Sequence, residues 1–132
     1  MFSFDEIGEM LDEIALSMPA EFYRDLNGGV NLLPGAKLHP ESGGRYDTLF
    51  VMGEYHNDPR GLGRYINMYY GSFINVYGYL SREQQYEELR KILAHEFTHH
   101  LESLGGEHDL EWQDEIEMEE FRRRRGKRLK KN

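Results

Sequence analysis

The run His95-Glu96-Phe97-Thr98-His99 holds two imidazoles and a carboxylate within one turn of helix. Residues four apart on a helix lie about 40° from each other, so both rings point into the same space and can share one ion. Glu96 follows about 100° round the helix, where it can take a proton from a water on that ion without filling a coordination position. The chain contains no Cys, which removes thiolate ligands, thiolate catalysis and disulfides together. Any metal must therefore be held by His and carboxylates. These residue types select one Zn2+ ion with His95 and His99 as ligands and Glu96 as general base, the chemistry of a hydrolase acting on peptide bonds.

Such a pair works only if a helix carries it and a core holds that helix in place. Ser81-Arg82-Glu83-Gln84 reads as a capping box, and residues 83–104 contain neither Gly nor Pro. Tyr86, Leu89, Leu93, Phe97, Leu101 and Leu104 recur at three-and-four spacing and fall on the wheel opposite the two histidines. The histidines are thus expected to face a cleft. Gly105-Gly106 then stops the helix and lets the chain reverse.

The remaining elements read as support for that helix. Ser3 with Glu6 makes a second capping box, ahead of a stripe of Phe4, Ile7, Met10, Leu11, Ile14 and Met18. Pro19 interrupts it and opens a further turn through residues 20–26, which Asn27-Gly28-Gly29 ends. Residues 30–33 and 48–55 read as strands, and Asn57-Asp58-Pro59-Arg60-Gly61-Leu62-Gly63 as the turn after the second. Residues 65–70 and 73–77 read as two further strands, with Gly71-Ser72 closing a hairpin or marking a bulge. Residues 109–125 are expected to form an acidic helix covering the core through Trp112 and Ile116. The fold class is α+β: a small twisted mixed sheet packed against the long histidine-bearing helix, with helices at both ends. The tyrosines cluster in the strands, where they pack or line a peptide groove.

At 132 residues the chain has room for one core, assigned to residues 1–121, followed by a basic tail over 122–132. Residues 1–120 hold 8 Lys and Arg against 24 Asp and Glu, a net −16, and residues 121–132 hold 8 basic and no acidic side chains. The tail lacks the interleaved aromatics that stack on bases, and the acidic body repels phosphate, so nucleic acid is not the expected partner. No apolar run reaches the roughly 20 residues of a membrane span. The first residues are acidic where a signal peptide is basic. A cytoplasmic location without a membrane partner is expected.

From Leu89 to His100 the chain resembles the small single-domain zincin-like metallopeptidases of bacteria, compact relatives of the metzincins. Weaker similarity at Phe4-Asp5-Glu6-Ile7, Leu49-Phe50-Val51-Met52-Gly53 and Ile66-Asn67-Met68-Tyr69-Tyr70-Gly71 extends the match over most of residues 4–114. The resemblance implies a zincin-like α+β fold and peptidase activity. The family motif continues two residues after the second histidine with Gly-x-x-Asp, and here this chain departs. Gly106-Glu107-His108-Asp109 restores that pattern four residues late and makes Asp109 the first candidate for the third ligand, while Gly105-Gly106-Glu107-His108 gives a metzincin-like Gly-x-x-His three residues late. Glu102, His108 and Glu111 follow, Glu102 because it shares the histidine face of the helix, and Asp114 extends the glutamate option. Without a third ligand the same helix would serve a metal-binding or protein-interaction domain that does not catalyse.

Overall fold

In a computed structural model, residues 1–41 and 49–105 are described. Helix α1, Phe4–Ser17, begins where the sequence places it: the Ser3 hydroxyl accepts from the Glu6 N–H, and Glu6 returns a bond to the Ser3 N–H. Its Ile7, Met10, Leu11 and Ile14 are buried. Pro19 precedes a short 3-10 turn, Ala20–Tyr23, that buries Phe22. Strands β1 (Gly29–Leu33), β2 (Lys37–Leu38), β3 (Phe50–Val51), β4 (Gly53–Asp58) and β5 (Gly63–Tyr69) follow, then helices α2 (Tyr70–Tyr77) and α3 (Arg82–Ser103).

The chain is therefore α+β, and the main sheet is mixed. Its order is β1-β5-β4, with β1 parallel to β5 and β4 antiparallel to it, while β2 and β3 form a separate antiparallel pair. One face of the main sheet turns Ile66 and Met68 into the core, where they join α1 and the Leu89, Leu93, Phe97 and Leu101 stripe of α3. Phe97 packs against both Phe22 and Tyr23, with ring centroids 5.5 and 5.1 Å away. Burying four such side chains on one helix, at about 1.5–3 kcal/mol each, is ample to fix its rotation.

Two expectations are corrected. Residues 73–77 form no strand: they belong to α2, which runs straight on from β5. β-Branched and aromatic side chains favour strands only where a pleated surface receives them, and here Phe73 and Tyr77 also lie one helical turn apart, their rings 5.4 Å from each other. The Gly71 N–H bonds to the Gly35 carbonyl, and a Cβ at Gly71 would lie 2.6 Å from the Ala36 nitrogen, so the β2 approach closes off any hairpin there. The strand expected over residues 48–55 is likewise divided, since β3 pairs with β2 and β4 with β5. The turn between β4 and β5 is as expected, with Gly63 at φ 74° in the left-handed region that glycine tolerates. The helix expected over residues 109–125, and the basic tail, lie outside the described residues. Among the described residues no helix is long and apolar enough to cross a membrane.

Candidate metal centre on α3

Helix α3 starts at a capping box in which the Ser81 hydroxyl accepts from the Gln84 N–H and Gln84 bonds back to the Ser81 N–H. It runs without a break to Ser103, and Gly105, just beyond its end, is in the left-handed region at φ 57°. With the apolar stripe packed inward, His95 and His99 are left outside the core and Glu96 between them is buried, 7% accessible. The two imidazole Nε2 atoms converge to 3.1 Å, with the rings at 84° to each other. Nitrogens about 2.05 Å from one zinc at tetrahedral angles lie about 3.3 Å apart. The pair therefore fits one ion. At the same separation one neutral ring can donate to the other.

Glu96 faces β4, an edge strand of the main sheet. The Tyr69 N–H donates to the Met52 carbonyl, which fixes the phase of pairing between β4 and β5. Even-numbered residues of β4 thus bond to β5, and the backbone groups of Gly53, Tyr55 and Asn57 point to the other edge. The Tyr55 N–H, on that outer edge, faces the Glu96 carboxylate. Gly53 leaves room for it, since a Cβ there would lie 3.3 Å from Glu96 Cγ. Burial pushes the Glu96 carboxyl above the usual range and the Glu54 carboxylate adds to this, while His99 and the Tyr55 N–H pull it down. The net shift is upward, toward readier acceptance of a proton.

His100, beside the pair, is fully buried. Its Nε2 lies 2.8 Å from the Arg24 carbonyl oxygen and its Nδ1 2.9 Å from the Tyr55 hydroxyl. Burial lowers its pKa, favouring the neutral ring. It is thus a core histidine and no ligand, in keeping with its position about 100° from His99. On the opposite face of β4, Glu54 accepts from the Lys37 ammonium at 2.6 Å and from the Tyr69 hydroxyl at 2.5 Å. His56 stacks on Tyr65, ring centroids 4.8 Å apart. Tyr55, Tyr65 and Tyr69 are therefore engaged in packing or hydrogen bonds.

The fold brings His95, Glu96 and His99 together as expected. Glu102 is exposed on the last turn of α3, and among the described residues no group of three His, Asp or Glu side chains able to hold a metal is formed. Asp109, His108, Glu111 and Asp114 lie outside the described residues. Gly53, Tyr55 and the partners of His100 carried no sequence signal, because a strand residue opposite a helix is identified only by the pairing itself. The doubled histidine at 99 and 100 was the single visible hint. An open groove of about 560 Å³ beside α1, lined by Asp12, Leu16, Met18 and Tyr23 among others, contains none of His95, Glu96 and His99.

Fold and site together define an α+β domain whose longest helix presents a histidine pair and a buried glutamate to the edge of a mixed sheet. The chain is similar to a solved structure: it is 33% identical to a conserved hypothetical protein from Thermus thermophilus, over 79% of this chain and 98% of that one, with a TM-score of 0.67. The chain belongs to the family of that protein. No family model matches it, and no curated protein is similar to it.

Proposed function

We propose that the protein is a zinc-dependent peptidase of the zincin type. The observation that carries this reading is the 3.1 Å convergence of His95 and His99 Nε2 beside a buried Glu96 held at the edge of β4. His95 and His99 would hold the ion, with Asp109 as the first candidate for a third donor and Glu102, His108 and Glu111 behind it. When bound, zinc lowers the pKa of water toward neutrality and polarises a carbonyl. Glu96 accepts the proton of the attacking water at its carboxylate and returns it to the departing amine. The outward-pointing backbone groups of β4 offer an extended peptide a strand to pair with, so the backbone of the substrate is aligned beside Glu96. The zincin-like character of the fold is part of this proposal, and so is a peptide or protein as partner.

The test is elemental analysis of protein purified without added metal, beside peptidase assays. Wild type should carry about one zinc per chain and His95→Ala none; Asp109→Ala should lose it if Asp109 is the third ligand. Glu96→Gln should keep the zinc and lose about 10²–10⁴-fold in kcat. Full activity in Glu96→Gln would overturn the mechanism. An absence of zinc after soaking and desalting would favour the second reading, a non-catalytic interaction domain. That reading draws on the absence, among the described residues, of a third metal donor.

A further inference from the structure

Helix α3 meets Tyr55 of β4 twice. The Tyr55 backbone N–H, on the outer edge of β4, faces the Glu96 carboxylate, and the Tyr55 hydroxyl lies 2.9 Å from His100, one helical turn further on. The directions of these bonds follow from the acceptors. The Arg24 carbonyl, 2.8 Å from His100 Nε2, can only accept, so Nε2 carries the proton. Nδ1 of the neutral ring is then a lone pair, and the Tyr55 hydroxyl must donate to it. Asp25, next to Arg24, sits at φ 59°, a left-handed conformation that Asp tolerates better than most residues and that turns the chain where the Arg24 carbonyl is presented. A core that needed only volume here would be filled by apolar side chains. Instead the strand residue that faces Glu96 is tied, through one imidazole, to the backbone of a third element.

We propose that His100 and Tyr55 are positioning residues that clamp β4 to α3 and thereby hold the Glu96 carboxylate in line with the His95 and His99 pair. The inference rests on the peptidase reading above for its catalytic consequence. Because Glu96 packs against Gly53 and His100 bonds to Tyr55 of the same strand, a slip of β4 relative to α3 moves the backbone that Glu96 faces. Displacements of about 1 Å at a reacting group can cost about 10²-fold in rate. Neither His100 nor Tyr55 is among the proposed ligands, so metal binding should be independent of the clamp.

The experiment compares Tyr55→Phe, His100→Leu and His100→Gln with wild type in three measurements: zinc per chain, kcat and KM on a peptide substrate, and the amide proton shift of residue 55 in the metal-free protein. Tyr55→Phe and His100→Leu should keep zinc and a KM within about threefold, while kcat falls about 10–100-fold. In both, the amide proton of residue 55 should move upfield, toward its position in Glu96→Gln. His100→Gln retains one donor and one acceptor and should recover most of kcat. Leu101→Ala, which loosens a neighbouring core position, controls for destabilisation alone and should leave kcat unchanged below its melting temperature. Wild-type kcat in Tyr55→Phe, or an amide at residue 55 that does not move, would overturn the clamp. If the wild type itself hydrolyses nothing, the peptidase reading fails and the amide shift alone decides whether the clamp exists.

Discussion

A methyl group at position 53 would lie 3.0 Å from Met68 Sδ and 3.3 Å from both the Asn67 carbonyl oxygen and Glu96 Cγ. The thioether can swing aside, but the carbonyl belongs to the paired strand and cannot. Glu96 is the remaining group able to give way, and its carboxylate is the one that faces the Tyr55 N–H. Gly53→Ala should therefore fold, keep its zinc and lose about tenfold in kcat, read by metal content and steady-state kinetics side by side. Unchanged kcat would mean that β4 and α3 separate freely, which would also weaken the case for the clamp at Tyr55. At this scale the sequence was legible only where chemistry has a short-range pattern. His95, Glu96 and His99 lie within five residues, and their geometry follows from helical spacing alone. Gly53, Tyr55 and Arg24 act from 43, 41 and 72 residues before Glu96, a juxtaposition that only the folded chain creates.

Among the elements, legibility followed the agreement between local and tertiary preference. α1 and α3 were readable because a capping box, an unbroken helical run and an apolar stripe say the same thing at the same place. α2 departs from its sequence reading because Phe73, Ile74, Val76 and Tyr77 carry strand propensity, while their burial follows a helical turn against β2 and α3. The division of β3 from β4 was hidden for a related reason, since strand propensity does not record which sheet a residue joins. α3 is the element on which the proposed chemistry depends, and its N-terminal cap lies more than ten residues ahead of His95. Ser81→Ala removes the acceptor for the Gln84 N–H and should cost about 1 kcal/mol in urea unfolding. Zinc content and kcat should stay at wild-type values, because the buried Leu93 and Phe97 hold the middle of the helix regardless. Loss of zinc in Ser81→Ala would show instead that fraying reaches the histidines.

Across the whole molecule, the two sheets are joined by a polar contact as well as by packing. Lys37 comes from β2 in the small sheet, while Glu54 and Tyr69 come from β4 and β5 in the large one, and all three meet at one carboxylate oxygen. Burial alone would push the Glu54 carboxyl up, but the hydrogen bonds from Lys37 and Tyr69, with the Lys37 charge, outweigh it and hold the group below the usual carboxylate range. Lys37 is held above 10.5 chiefly by its hydrogen bond to Glu54. A carboxyl whose folded pKa is depressed contributes stability that is present above its unfolded pKa and lost as pH falls through the folded one. A raised lysine contributes below its unfolded pKa and loses the contribution only as pH rises through the folded value. The junction is thus complete at neutral pH and fails at the acid end through Glu54. Glu54→Gln should be less stable than wild type near pH 7, with the gap in denaturation midpoints closing as pH falls through the depressed pKa of the wild-type carboxyl. A gap that persisted once the wild-type carboxyl is protonated would mean that the substitution acts through packing and not through charge. The gap should also narrow in high salt, since Lys37 and Glu54 remain partly open to solvent.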